Sequence, residues 1–346
     1  AKEFDENFNS VEHFNNKTDF TQLIYGGQAV IQARDFWRID LKGGESRDEA
    51  TAYLNINDSS RIDTQKVSFS AINHFNLTPE HLFSLGYDFQ EDSVNSSNDY
   101  AVNSRNNHAV LMQYQGEFLQ NQVALAYRSD HNQQFGENST WNASWGYAFK
   151  NGILILASYG TGFKAPTFND LYWPGAGNPA LKPEKSESYE IGINGKHKNW
   201  HWGLNSYLTY INDLVNWSPD ASGNWLPNNI DSARIMGLEA IIGGQFYGLD
   251  MQASFSALKP QSMDSNNFGK ILRHRAQQIL RIDIDRKIGS ANLGTTLNYE
   301  GRRFDNATNT SQLDGFVSWD LRAEYQFNHS ITAQATIKNI LNTQYQ

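Results

Sequence analysis

The 346-residue chain contains no cysteine. Disulfides and thiolate metal sites are therefore excluded. No stretch approaches about 18 consecutive apolar residues, so a membrane-spanning helix is excluded as well. Positive charge is in deficit, with 28 Lys and Arg against 37 Asp and Glu and a net charge of −9. That balance argues against a duplex nucleic-acid partner, whose phosphates would be repelled. The start, Ala1-Lys2-Glu3-Phe4, has no charged n-region and apolar h-region; it reads like the interior of a longer protein. Catalytic signatures are missing too. The nine His are scattered, and there is no HExxH run, no Gly-x-Ser-x-Gly elbow and no phosphate loop. No enzymatic function is expected, and no catalytic cofactor.

What the chain does have is alternation. Ala291, Leu293, Thr295, Leu297 and Tyr299 alternate with Asn292, Gly294, Thr296, Asn298 and Glu300. Leu321, Ala323, Tyr325 and Phe327 alternate with Arg322, Glu324, Gln326 and Asn328, and Ile331 to Lys338 repeats the pattern. Successive strand side chains point to opposite faces, so each segment has an apolar face and a polar one. A β-barrel crosses a bilayer with this dyad signal, because only alternate residues meet lipid. The 20 Phe, 16 Tyr and 9 Trp would supply aromatic girdles at the two interfaces. The competing architecture is an aromatic-rich soluble sandwich or propeller.

Sixteen strands are predicted, at 20–33, 35–46, 64–77, 81–93, 106–118, 121–131, 139–150, 152–163, 186–197, 199–214, 230–246, 249–260, 271–287, 291–303, 315–327 and 331–341. Their connections alternate between tight turns such as Thr78-Pro79-Glu80, Asn151-Gly152 and Gly289-Ser290, and long polar loops near 48–63, 93–105, 165–184, 217–229, 259–269 and 304–314. Tight turns on one rim with long loops on the other is the pattern of outer-membrane barrels. The fold class is all-β, a transmembrane antiparallel β-barrel. Residues 1–346 read as one barrel domain, truncated at both ends. An open curved sheet with two unpaired edges is expected.

Ser158-Tyr159-Gly160-Thr161-Gly162-Phe163-Lys164-Ala165-Pro166-Thr167-Phe168-Asn169-Asp170-Leu171-Tyr172, then Asn178-Pro179-Ala180-Leu181-Lys182-Pro183-Glu184-Lys185-Ser186 and Tyr189-Glu190-Ile191-Gly192, form a distinctive run. It resembles the mid-barrel signature of TonB-dependent outer-membrane receptors. Ile337-Lys338-Asn339-Ile340-Leu341-Asn342-Thr343-Gln344-Tyr345 resembles that family's penultimate strand. Asp130-His131-Asn132-Gln133-Gln134-Phe135-Gly136, Leu272-Arg273-His274-Arg275-Ala276 and Gly301-Arg302-Arg303-Phe304-Asp305 are similar to the family's cobalamin-importing branch. The resemblance implies a 22-stranded barrel, about sixteen strands of which are present, with an N-terminal plug that is missing. It implies cobalamin as ligand and the TonB energy-coupling complex as partner through that plug. Outer-membrane lipid and lipopolysaccharide would surround a monomer in a Gram-negative outer membrane. The alternatives are a siderophore or haem receptor, or a passive porin-like barrel.

The resemblance also implies sites. Glu6, Ser60, Arg273 or Arg275, and Thr308 occupy loop positions where that branch touches substrate. Phe4, through its carbonyl, and Asp5 resemble a Ca²⁺-binding pair. Asn15 stands where the branch has a further Asp, with Asp19 as a neighbour; Ca²⁺ takes six to eight oxygen ligands. Read from the residues alone, Asp5, Glu6 and Asp19 are solvated loop acids. Arg273 and Arg275 are then a lumen-facing pair balancing acids such as Asp283.

Overall fold

The computed structural model describes residues 17–55, 58–220 and 222–345. In chain order the strands are β1 (Lys17–Arg34), β2 (Trp37–Asn55), β3 (Asp58–Thr78), β4 (His81–Ser96), β5 (Ser104–Phe118), β6 (Asn121–Asn132), β7 (Gly136–Ala148) and β8 (Ile153–Lys164). After a short helix α1 (Phe168–Tyr172) come β9 (Glu184–His197), β10 (Trp200–Pro219), β11 (Trp225–Phe246), β12 (Leu249–Ser262), β13 (Gln278–Ile288) and β14 (Ala291–Glu300). A small hairpin of β15 (Arg303–Phe304) and β16 (Gln312–Leu313) precedes β17 (Phe316–Gln326) and β18 (Thr332–Ile337). Every strand but that hairpin joins one 16-stranded antiparallel sheet in sequence order, with β1 and β18 at its edges.

The sheet is a single layer. Its extensive contacts all run between sheet neighbours, and the buried apolar residues are few: Val94, Ala109, Leu171, Leu181 and Ala233. A sandwich buries alternate residues between two layers; this sheet does not. Residues in direct register share a face, so the pairing separates two surfaces. One carries Leu85, Met112, Leu125, Trp145, Ile191, Leu204, Leu238, Phe255, Leu293 and Leu321, each more than a third exposed. The other carries Arg38, Asp40, His74, Asp88, Arg128, Asp283, Asp285 and Arg322. In water the first surface is a liability; against hydrocarbon it is the favoured one.

Aromatic rings bracket the apolar surface. Near the tight turns, Trp37 stacks on Phe75 at 5.9 Å and Phe75 on Phe83 at 6.4 Å. Toward the long loops, Tyr127 meets Trp141 at 4.2 Å and Tyr159 meets Tyr189 at 5.1 Å. On β10, Trp200 and Tyr210 share the apolar face. The ten residue steps from one to the other, at about 3.4 Å each and tilted about 45°, span roughly 24 Å, close to the apolar band of a barrel. The tight turns follow local chemistry. Tyr247 and Gly248 both have positive φ, 52° and 76°, the requirement of a two-residue type I′ hairpin.

Strand limits depart most from expectation in four regions. The 48–63 loop is sheet: β2 and β3 pair through Asp48↔Thr64 and Thr51↔Arg61. Beyond the apolar band both faces carry polar residues, so the alternation that marks strands is lost, while Arg61 still bridges Glu49 at 3.5 Å. The 217–229 loop shrinks likewise, since β10 runs to Pro219 and β11 starts at Trp225. In contrast, 271–277 leaves the sheet. Ile271 is clamped by Asn309, whose Oδ1 accepts from Ile271 N at 2.7 Å and whose Nδ2 donates to Ile271 O at 2.8 Å. His274, at φ 55°, donates its N–H to Phe304 O at 2.8 Å. The last strand stops at Ile337, because Asn339 turns at φ 51° and donates its N–H to Asp320 Oδ1 at 2.7 Å.

Candidate functional site

The long-loop rim is built around residues 165–183, which sequence patterning left as plain loop. Thr167 caps α1: its Oγ1 accepts from Asp170 N at 3.1 Å while Asp170 Oδ2 accepts from Thr167 N at 2.9 Å. This capping box was readable in Thr167-Phe168-Asn169-Asp170. The segment is then tied to its neighbours by side chains. Tyr100 donates to Asn169 Oδ1 at 2.8 Å, Gln134 Nε2 to the Tyr172 hydroxyl at 2.6 Å, and Trp217 Nε1 to Asp170 Oδ1 at 2.7 Å. Arg105 donates to Pro166 O at 2.6 Å and lies 5.0 Å from the Phe168 ring centre. Asn178 Nδ2 donates to Pro227 O at 3.1 Å, and Asn229 exchanges bonds with the Lys182 backbone at 2.9 and 3.0 Å. Leu171 is wholly buried beneath these ties. Burial also pushes the Tyr100 hydroxyl above its ordinary pKa.

Beside this segment lies a cavity of about 310 Å³, lined by Asn216, Asp264, Leu272, Arg273, Arg275 and Ala307 among others. Arg273 donates to Asn216 Oδ1 at 3.2 Å and to Trp217 O at 2.8 Å, with its guanidinium 5.5 Å from the Trp225 ring centre. Arg275 is exposed, and among the described residues its Nη1 reaches only the His274 carbonyl, at 3.4 Å. Thr308 is exposed one residue beyond Ala307, with its hydroxyl 3.2 Å from that of Thr310. The structure thus brings Arg273 and Arg275 to one cavity, with Thr308 next in sequence to the lining residue Ala307. Ser60 is not brought to them: it pairs with Ala52 in the β2–β3 hairpin, near the opposite edge of the sheet. Glu6, Phe4, Asp5 and Asn15 lie outside the described residues. Asp19 is engaged by Lys17 at 2.8 Å. Among the described residues no cluster of three or more acids and His could hold a metal.

The idea that Arg273 and Arg275 balance Asp283 is overturned. Asp283 accepts from Arg281 Nε at 2.6 Å and from Thr296 Oγ1 at 2.6 Å. Arg322, 3.5 Å from Asp283, also grips Asp285 through its Nε at 3.0 Å and its Nη2. These groups line the lumen face near the tight turns. Gly294 sits between Asp285 and Arg322 in register; a Cβ there would collide with both side chains, so glycine lets the pair close across β14. A second network joins Arg128 to Asp130 at 2.9 Å and to Asp88. Glu190 accepts from Asn205 Nδ2 and from Ser158 at 3.5 Å.

Sequence reasoning also missed a Ser/His/acid set. His74 Nδ1 lies 2.9 Å from Ser84 Oγ, and its Nε2 lies 3.3 Å from Asp40 Oδ2. Ser84 is 3% exposed, and β3, β4 and β5 pair in register around it. That pairing consumes the strand N–H groups an oxyanion would need. The set acts as a bracket across β2–β4.

A profile of the family described as TonB dependent receptor-like, beta-barrel, matches residues 3–340. The chain is 32% identical over 309 residues to a protein named Vitamin B12 transporter BtuB from Photobacterium profundum, covering 87% of this chain and 50% of the relative. It is 31% identical over 286 residues to one of the same name from Vibrio vulnificus, covering 81% and 46%. The chain thus spans about half the length of these curated relatives. Among solved structures, the ferric enterobactin receptor PfeA of Pseudomonas aeruginosa superposes with TM-score 0.79 at 15% identity, covering 95% of this chain and 57% of that one. The copper transporter OprC superposes with TM-score 0.77 at 13% identity, covering 96% and 60%.

Proposed function

The chain belongs to the TonB-dependent receptor β-barrel family, whose members are outer-membrane proteins, and from there we propose that it is the wall of an energy-coupled importer of cobalamin. The sixteen strands form part of a larger closed barrel, since an open edge in hydrocarbon leaves backbone groups unpaired. The barrel works as a monomer among outer-membrane lipids and lipopolysaccharide. Ligand binds at the long-loop rim. A corrinoid carries peripheral amides, and the 310 Å³ cavity seats one edge of it, not the whole. There Arg273, held by Asn216 and Trp217, offers donors to amide carbonyls, with Arg275 and Thr308 beside it. Ligand binding outside favours exposure of a coupling segment inside, and the TonB complex supplies the work. No catalytic step is involved.

The observation that carries the cobalamin reading is the 31–32% identity to proteins named vitamin B12 transporters over most of this chain. The test is complementation. A strain lacking its own corrinoid receptor, given the full open reading frame, should grow on nanomolar cobalamin, and only with the coupling complex intact. Arg273→Ala should weaken cobalamin binding about tenfold, the loss of one or two charge-assisted bonds. Rescue of ferric-siderophore or haem uptake without corrinoid uptake would replace the substrate. Uptake independent of the coupling complex would make the protein a passive porin.

A further inference from the structure

One broad concavity of the wall lies outside the lumen. A groove of about 760 Å³ runs across β9 to β13, between two rows of side chains on the apolar face. The upper row is Tyr189, Leu208, Met236 and Lys259; the lower is Ile191, Ser206, Leu238, Ala257 and Gln278. Ser206 and Ala257 are short where the other strands carry large groups, and this opens the groove. Four strand spacings of about 4.8 Å make it roughly 19 Å long. That length suits an extended acyl chain.

Its long-loop side is cationic. Above Lys259, the next rows bring Arg234, between Tyr210 and Gln261, and then Lys185, opposite Asn212. The one acid in these rows, Glu187, receives the Tyr189 hydroxyl at 3.5 Å. Elsewhere on the same face near the long loops, cations are neutralised beside their own strand neighbours: Arg47 by Glu45, and Arg61 by Asp63. Among the described residues, Lys185, Arg234 and Lys259 have no carboxylate partner, and Arg234 donates only to Gln261, at 2.8 Å. Long basic side chains at the edge of an apolar band reach toward the headgroup layer.

We propose that this groove is a specific lipid site, taking one acyl chain of an anionic, phosphate-bearing membrane lipid with the phosphate held by Lys259 and Arg234. The inference rests on the membrane-barrel reading above. Strand addition by a protein partner is closed off, because the backbone on the groove floor is already paired on both sides. The cationic end selects an anionic head over a zwitterionic one.

Native mass spectrometry of the purified full-length protein, titrated in detergent with phosphatidylglycerol or phosphatidylcholine, tests this. One phosphatidylglycerol should be retained in preference to phosphatidylcholine. Lys259→Gln and Arg234→Gln should each lower its retention about fivefold, the effect of one cation near a charged headgroup. Ser206→Leu should fill the groove and lower both lipids. Lys270→Gln, in the loop after β12, should change nothing. Folding of each variant is read independently from its heat-dependent gel migration. Equal retention of the two lipids by the unaltered protein, or no loss in correctly folded variants, overturns the lipid site alone. Failure of the unaltered protein to enter liposomes overturns the membrane reading instead.

Discussion

The wall around Asp283 and the rim around Asp170 are both polar, yet they are held in different ways. At Asp283, position follows from backbone register: β12, β13, β14 and β17 pair continuously, and the ladder of Arg281, Asp283, Thr296, Arg322 and Asp285 forms between side chains already placed in rows. At Asp170 the backbone outside α1 has left the sheet. Tyr100, Arg105, Gln134, Trp217 and Asn229 then hold it one bond at a time. The wall is cooperative and the rim is a sum of local ties. That division suits a receptor, in which a rigid frame carries loops that can respond to a ligand.

The wall is most sensitive to a charge placed on its apolar face. Leu238→Arg, near the middle of β11, should cost about 2–4 kcal/mol in bilayers. Glu239→Arg, one residue on and facing the lumen, should cost far less; urea unfolding in liposomes measures both. Equal costs would mean that the two faces are not distinct solvents. Next, Gly294→Val forces the Asp285–Arg322 pair apart and should lower wall stability by about 1–3 kcal/mol, read from the same unfolding midpoint, while the rim keeps its protection. Trp217→Phe removes the bond to Asp170. It should cost about 1 kcal/mol, seen as faster hydrogen exchange over 168–172 with an unchanged wall.

The smallest effect concerns pH. The Asp220 carboxylate accepts from Asn224 N at 2.9 Å and Ser222 N at 2.7 Å. Backbone donation, first from Asn224, holds it below the usual carboxylate range. Its folded pKa is lowered, so the contribution to the β10–β11 tip is present above the unfolded pKa of about 3.9. It is lost as pH falls through the lower folded value. Exchange at Ser222 and Asn224 should be constant from neutral pH to about 5 once intrinsic rates are divided out, and should then accelerate below about 4. Acceleration already at pH 6 would implicate a different group.

The same division explains what the sequence made legible. Where one face meets lipid, alternation is forced, and strands such as β6, β8, β12 and β14 fell within a few residues of expectation. Above the band that constraint ends. The extensions of β2 and β3 therefore read as loop, and the departure of 271–277 from the sheet read as strand. The site suffered most, because rim geometry depends on contacts distant in sequence. Arg273 and Arg275 line one cavity and Thr308 follows Ala307 of its wall, but Arg273's partners on β10 and beside Trp225 carry no local signal. The capping box at Thr167 was a missed local cue. The Arg322–Asp285 pair needs the β13–β14–β17 register before it can be seen.

In a membrane wall, odd and even residues of one strand meet different solvents. Spin labels placed singly at positions 201 to 210 of β10, in the protein reconstituted into bilayers, read this directly through collision with oxygen and with a water-soluble nickel chelate. A period of two is expected: 202, 204, 206, 208 and 210 favour oxygen, and 201, 203, 205, 207 and 209 do not. A flat profile, or an oxygen preference shared by both sets, would contradict it.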